Sequence, residues 1–419
     1  MKTSKLAEGL KGSEIIKIAG EVNALKAQGE VIYNQTIGDF DADIFPIPDE
    51  LKAEIVSAYN DNQTNYPQAN GMEALRVSVS DYLSGNLKLA YSKDEILISG
   101  GARPLIYAVY QTILDIDDTV LYPVPSWNND AYTYLSRNKS VILETQVENN
   151  FMPTASDIKP HIQSVNLIAL CSPLNPTGTT FTKEALLEIS ELVVLENKRR
   201  ATLDEKPLYV IYDQIYWQLT YGETIHYNPV ELVPEMRDYT IFIDGISKAF
   251  AATGVRVGWA FGPIHIINKM KALLSHIGAW APKAEQLATA SYLNNTEAVH
   301  DYLTHIKTEL NDRLISFYKG FNALQKKGFP VRAIQPEAAL YLTVQFDLLG
   351  KTTSNGATLK TIQEVTSFLL HEAKLAIVPF YAFGTSTDSN WFRLSVGTAR
   401  KEDIETVFEL LQNALQKLK

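Results

Sequence analysis

A single cysteine, Cys171, is all the sequence holds, so no disulfide can close within the chain. Its place in the apolar run VNLIALCSP reads as a buried strand thiol in preference to a reactive one. A surplus of positive charge is also missing, because 38 Lys and Arg face 48 Asp and Glu, a formal net charge of -10. Nucleic-acid phosphates require a face rich in Lys and Arg, and none stands out, so nucleic acid is not an expected partner. No run approaches the roughly 18 apolar residues of a membrane span. The opening stretch, MKTSKLAEGLKGSEIIKIAGEVNALKAQGE, alternates charged and apolar residues at helical spacing and has no continuous apolar signal-peptide core. A membrane is therefore not expected as a partner, and the cytoplasm is the expected compartment. Internal repeats and low-complexity tracts are absent too.

What is present is a chain of 419 residues, 46% of them hydrophobic, more than one compact core accommodates. Short β-branched runs recur at 95–99, 119–123, 141–146, 166–172, 208–213, 240–245 and 255–262, separated by helical patterns such as 183–200. Several are apolar without alternation, as strands covered on both faces are. The expected class is α/β: a large domain with a mostly parallel mixed sheet of about seven strands flanked by helices, plus a smaller α+β domain. The smaller domain is expected to comprise a long charged helix over about 296–328, short strands in AALYLTVQF, LAIVPF and WFRLSV, and a closing helix from Lys401. The expected division is 1–45 as an N-terminal segment joining the small domain, 46–295 as the large domain and 296–419 as the small one. GKTTSNGATLK, at 350–360, reads as an exposed loop.

In such sheets ligands gather beyond the carboxyl ends of strands, and four strand ends here carry candidate chemistry. SGGARPLIY (99–107) sets two glycines before a helix start, where backbone N–H groups can meet an anion; a tight turn without a ligand is the alternative. SPLNPTG places Asn175 between prolines that restrict the backbone, which aims its amide or marks a bare turn. Asp213 ends the apolar strand YVIYD, with Tyr216 three residues on, and a structural ion pair would also explain a buried acid there. Lys248, in DGISKAFAATGVRVGW, lies among small residues where desolvation favours a neutral nucleophilic amine, and Arg256 follows as a phosphate ligand; surface charges are the plainer reading. An anion nest, an aimed amide, a buried acid and a Lys with an Arg suit an aldehyde on a pyridine ring bearing a phosphate, pyridoxal 5'-phosphate.

NPTG at 175, D-x-x-Y at 213–216 and SKAFAATGVRVGW from 247 resemble the fold-type I, class I/II aminotransferases, and among them most the bacterial aspartate aminotransferase branch. The likeness runs from GDFD near residue 38 to WFRLSV at 391–396. It implies that Lys248 forms a Schiff base with the cofactor and later shuttles a proton, while Asp213 pairs with the pyridine nitrogen and keeps it protonated. Asn175 and Tyr216 match positions that hydrogen-bond the cofactor's phenolic oxygen, and Trp127 matches the aromatic that stacks on its ring. The backbone amides of Gly101 and Ala102, with Arg256, are implied to cradle the phosphate. Tyr66 matches a tyrosine supplied to the neighbouring subunit's phosphate, which implies a homodimer with shared active sites. Arg393 matches the residue that takes the substrate α-carboxylate, with the backbone of Gly38 closing over it and Trp127 and Asn175 beside it. No metal is expected.

Departures from the branch bear on specificity. Gly245 stands where many relatives have serine, Val255 where the branch often has tryptophan, and the lysine associated with a side-chain carboxylate falls at Ala102 or Arg103. His276, Trp280 and Lys283, in SHIGAWAPKAEQ, are candidates to reach a neighbour's pocket or simply to pack an interface. The implied reaction moves the amino group of an L-amino acid, aspartate or an aromatic donor, to a 2-oxo acid. The alternatives are a carbon–sulfur β-lyase using the same Lys, Asp and Arg, and a non-catalytic regulator, against which the intact Lys248 speaks.

Overall fold

The computed structural model describes residues 3–10, 12 and 14–419. In chain order its strands are β1 (Tyr33–Asn34), β2 (Ile96–Ser99), β3 (Thr119–Val124), β4 (Lys139–Glu144), β5 (Leu167–Cys171), β6 (Tyr209–Asp213), β7 (Thr240–Gly245), β8 (Gly258–Phe261), β9 (Val331–Ala333), β10 (Tyr341–Phe346), β11 (Leu375–Ala376), β12 (Val378–Pro379) and β13 (Trp391–Ser395). Seven make one sheet in the order β2-β8-β7-β6-β5-β3-β4. Only β8 runs against its neighbours, antiparallel to both β2 and β7. The fold is that expected: a mostly parallel mixed sheet of seven strands, flanked by helices.

The lack of alternation in these strands has a direct cause. Odd and even residues enter two different cores. Leu97, Val120, Leu167, Ile211, Ile243 and Ala260 pack against helices Ala102–Ile113 and Ile264–Ile277. Their neighbours Ile98, Leu121, Ile168, Val210, Phe242 and Trp259 pack against helices Glu73–Leu87, Lys183–Thr202 and Lys283–Asn294. With apolar cover on both faces, these strands are hydrophobic at successive positions through their middles, and polar residues such as Ser99 and Asp213 come at their carboxyl ends. The edge strand β4 departs from this pattern, with Ile142 half exposed. The run 255–262 yields a shorter strand than its composition suggests, because Arg256 adopts φ +62° and breaks extension just before Gly258.

A second sheet, β12-β13-β10-β9, is antiparallel and is covered by its own core, in which Leu310, Leu314 and Phe317 from helix Thr296–Lys326 meet Leu342, Val344, Phe392 and Leu394. The same long helix begins against the first core, at Val299, and so ties the two together. β1 pairs in parallel with β11, and Ile18, Val22, Leu25 and Ile32 pack with Leu370 and Ala376, which joins the N-terminal helix Glu14–Ala27 to the C-terminal part of the chain. The 350–360 segment is a turn with one isolated bridge, Thr352 to Thr358. No described helix is long and apolar enough to cross a membrane.

Two glycines allow β7 and β8 to approach the turn after β2. A Cβ on Gly245 would lie 2.8 Å from the Cα of Gly258, so a side chain has no room here. A Cβ on Gly258 would lie 2.7 Å from the carbonyl carbon of Gly101 and 2.9 Å from the nitrogen of Ala102. Gly258→Ala is expected to cost about 2 kcal/mol through overpacking against backbone that cannot swing away. It should also weaken cofactor retention, because the displaced turn is the one expected to face the cofactor's phosphate. Thermal unfolding of the cofactor-free protein and cofactor titration check both, and an unchanged melting temperature would contradict the packing argument.

Candidate active site

Because β8 alone is reversed, the carboxyl ends of β2, β3, β5, β6 and β7 share one edge of the sheet with the start of β8. That edge collects residues far apart in sequence: the turn at Gly101, Trp127 after β3, Asn175 after β5, Asp213 closing β6, Lys248 after β7 and Arg256 before β8. Arg393 arrives from β13 of the other sheet, and Gly38 from the segment after β1. A cavity of about 550 Å³ is lined by Gly38, Ala102, Trp127, Asn175, Asp213, Tyr216, Lys248, Arg256 and Arg393 together.

Lys248 donates from Nζ to the carbonyl oxygen of Gly38 at 2.7 Å. Burial pushes its ammonium down to about 8; Asp39 opposes this, while Arg393, Arg103 and Arg256 add to it. The amine is thus half neutral near pH 8, where an ordinary exposed lysine is almost wholly protonated. Asp213 accepts from the amide of Ile215 at 3.1 Å, and burial pushes its carboxyl up to about 6, with Lys248 pulling back. Among the described residues no Lys or Arg lies within ion-pair distance of Asp213, so a structural salt bridge does not account for its burial.

Arg393 is buried, and burial also lowers its guanidinium from the ordinary value. Its Nη1 donates to Asn175 Oδ1 at 3.0 Å and its Nη2 to the Thr36 carbonyl at 2.6 Å. Its Nε is buried with no protein partner. Arg256 is held by the carbonyls of Thr253 (2.6 Å) and Gly100 (2.9 Å). The Gly101 amide donates to Ser99 at 2.7 Å, which leaves the Ala102 amide, first in helix Ala102–Ile113, without an intrahelical partner. Arg103 lies over the Trp127 ring, 5.3 Å from its centroid. The Tyr216 hydroxyl is 2.8 Å from that of Tyr341. Cys171 lines the cavity, and burial raises its thiol well above the ordinary range, as the strand-thiol reading expects.

Of the predicted positions, Gly101 borders the cavity behind Ala102 and Arg256 without lining it, and Tyr66 is kept away from it. Tyr66 is 81% exposed, and its ring meets that of Trp280 edge-on at 5.4 Å. Lys283 donates to Asn65 Oδ1 at 2.7 Å beside it, whereas His276 is exposed at the end of helix Ile264–Ile277. Sequence reasoning passes over Asp39 and Tyr341, which also line the cavity. Asp39 accepts from Thr253 Oγ1 at 2.6 Å and faces Lys248. Tyr341 reads as an ordinary strand tyrosine. Only Asp39 had a signal, as the second letter of GDFD.

Residues 33–411 match the family described as Aminotransferase class I and II. The chain belongs to this family. It is 28% identical over 422 residues to an aspartate aminotransferase of Bacillus subtilis (strain 168), covering 100% of this chain and 98% of the other. It is likewise 28% identical over 399 residues to a probable aspartate/prephenate aminotransferase of Rhizobium leguminosarum bv. phaseoli, covering 94% of each. The structure superposes on the aspartate aminotransferase of Rhizobium meliloti with a TM-score of 0.91 at 25% identity over the full length of both chains. With the Thermus thermophilus enzyme solved with maleate the TM-score is 0.86 at 25% identity, over 99% of this chain and 100% of that one. The aminotransferase is therefore a pyridoxal 5'-phosphate-dependent transferase of nitrogenous groups, class 2.6.1, with the fold-type I architecture.

The cavity fits that cofactor. Gly101 has φ +95°, and a Cβ there would sit 2.1 Å from Arg256 Nη2, so the glycine keeps open the space between an arginine and a free helix-start amide. That is an anion cradle. The unpaired buried carboxyl of Asp213 is costly until a cation meets it, and a protonated ring nitrogen is such a cation.

This cost predicts a pH-dependent penalty in the cofactor-free aminotransferase. A carboxyl raised from 3.8 to about 6 on folding contributes stability below pH 3.8 and loses it as pH rises through about 6. The loss approaches about 3 kcal/mol at neutral pH. Cofactor-free Asp213→Asn should therefore be more stable than wild type at pH 8, with the gap narrowing toward pH 5, while holding the cofactor more weakly. Chemical denaturation across that range checks it; an Asn variant less stable at pH 8 would overturn the reading.

Proposed function

We propose that this aminotransferase uses Lys248 as its catalytic amine and takes its amino group from a dicarboxylic L-amino acid, aspartate foremost. The observation that carries the substrate class is a cavity lined by two arginines with donors to spare. Arg393 has a buried Nε without a partner, and Arg103, parked on Trp127, makes no ion pair among the described residues. Two guanidiniums suit two carboxylates, the α-carboxylate at Arg393 and the side-chain carboxylate at Arg103. The names of the relatives support this reading, as does maleate, a dicarboxylate, in the Thermus thermophilus neighbour. Prephenate, also a dicarboxylate, is a candidate acceptor by the same charge argument. Family membership favours transfer over the β-lyase and regulator readings.

Bound pyridoxal 5'-phosphate supplies an aldehyde for an amine to join and a ring that draws in the electron pair left when an α-proton departs. Asp213 holds the ring nitrogen in its protonated form. Arg256, with the Ala102 amide and the turn at Gly101, holds the phosphate. Trp127 packs against the ring face, and Asn175 and Tyr216 donate to the phenolic oxygen. Lys248, as a neutral amine, would take the proton that leaves the substrate α-carbon and hold it for return, which needs a base with a pKa near neutrality in a site with little water. Gly38 has no side chain, and a Cβ there would lie 2.8 Å from the Tyr341 hydroxyl, so its backbone can close over the carboxylate beside Arg393.

The proposal extends to a homodimer. Tyr66, exposed and outside its own cavity, is free to reach a neighbour's phosphate site, and Trp280 and Lys283 line the same surface hollow. The cytoplasm is the proposed compartment, and the division into 1–45, 46–295 and 296–419 is proposed on the two cores and the N-terminal helix that joins the second of them.

The test is a half-reaction rate series over all common amino acids, read as the change in cofactor absorbance on donor addition. Aspartate and glutamate are expected to react fastest. Arg103→Leu should lower kcat/KM for these two by at least about tenfold, the scale of one charged hydrogen bond, and leave alanine and phenylalanine within about threefold. Arg393→Leu should lower all donors together. Equal losses for acidic and neutral donors in Arg103→Leu would defeat the substrate assignment.

A further inference from the structure

Tyr341 enters the cavity from the second sheet and touches both ends of the reaction site. In the β10–β13 ladder Thr343 faces Arg393, so Tyr341, two residues earlier, lies on the same face as the arginine. Register thereby sets the Arg393 guanidinium over the Tyr341 ring, 4.7 Å from its centroid. At its other end the Tyr341 hydroxyl sits 2.8 Å from the Tyr216 hydroxyl, a contact between residues 125 positions apart. Both phenols are buried, and both line the cavity. Arg393, Asp39 and Cys171 are the other charged or titratable groups around Tyr341, and the Lys248 amine lies 5.9 Å from the centre of the Tyr216 ring.

Each hydroxyl carries one proton, and the contact between them uses one of the two. If Tyr216 spends its proton on the cofactor's phenolic oxygen, the proton shared between the tyrosines must be Tyr341's. We propose that Tyr341 is a positioning residue: its hydroxyl donates to Tyr216, aims the Tyr216 proton into the cavity, and links the arginine that receives substrate to the oxygen that Tyr216 faces. This rests on the reading that Tyr216 donates to that oxygen. Accepting a hydrogen bond strengthens a hydroxyl as a donor, so Tyr341 supports negative charge on the phenolic oxygen through Tyr216. The Arg393 cation over its ring favours electron density moving onto the Tyr341 phenol, and a bound carboxylate relieves that pull.

Tyr341→Phe removes one oxygen and keeps the ring beneath Arg393. In the cofactor-loaded protein without substrate, the pH midpoint of the cofactor's absorbance change should rise by about 0.5 in this variant, because a weaker donor at the phenolic oxygen lets the site hold its proton to higher pH. Tyr216→Phe should raise the midpoint further, and adding Tyr341→Phe to it should then change nothing. With substrate, Tyr341→Phe should lower kcat while KM stays within about twofold. Tyr341→Leu, which also removes the ring, should show the same midpoint and a higher KM, so the hydroxyl effect is read even if one variant folds poorly. A midpoint unmoved by Tyr341→Phe, or moved as far in the Tyr216→Phe background, overturns the proposal. A midpoint unmoved by Tyr216→Phe itself overturns the underlying reading of Tyr216, and the proposal with it.

Discussion

The site depends on removing water from one amine. Lys248 follows β7 at an edge where helices, the second sheet and the segment at Gly38 all converge, and the resulting burial lowers its ammonium to about 8. Three arginines in the same cavity act in the same direction, and a single aspartate, Asp39, opposes them. The balance keeps the amine near the point where it can both give and take a proton at neutral pH. Asp213, at the end of the neighbouring strand β6, is raised by the same desolvation. An acid raised and a base lowered in one cavity are two outcomes of a single cause.

That desolvation is a property of both sheets. The large sheet supplies Lys248, Asp213, Asn175 and Arg256, but Arg393 and Tyr341 come from β13 and β10, and Gly38 from the segment after β1. Arg393 Nη1 on Asn175 and the Tyr341 hydroxyl on Tyr216 are hydrogen bonds between the two sheets' residues, formed inside the cavity. Glu337, which accepts from Asn150 Nδ2 and the Thr180 amide, both at 2.9 Å, secures the same seam from outside. A change in how the sheets meet would therefore reach the amine through its exposure to water.

Much of this was legible because strand-end chemistry is local. Asn175 beside its prolines, Asp213 at the close of an apolar run and Lys248 after the next strand could be assigned from neighbours in sequence, and the seven strands from β-branched runs. Arg256 was named from its spacing, yet the reason it reaches the site is the reversal of β8, a tertiary fact. Gly245 stood out as a departure, and its cause, backbone contact with Gly258 across the β7–β8 pair, is invisible until the strands are paired. Asp39 and Tyr341 were missed because their roles lie wholly in contacts spanning 214 and 125 residues. The half-exposed Ile142 resembles its buried neighbours in composition and differs only in lying on an edge strand.

The central claim is that burial makes Lys248 a neutral base near physiological pH. It is tested most directly by trace acetylation of the cofactor-free protein across pH 6–11, with the peptide containing Lys248 quantified by mass spectrometry against peptides of exposed lysines. The account predicts that Lys248 reactivity reaches half its plateau near pH 8, while exposed lysines do so near roughly 10.4. A Lys248 profile coincident with that of the exposed lysines would contradict it.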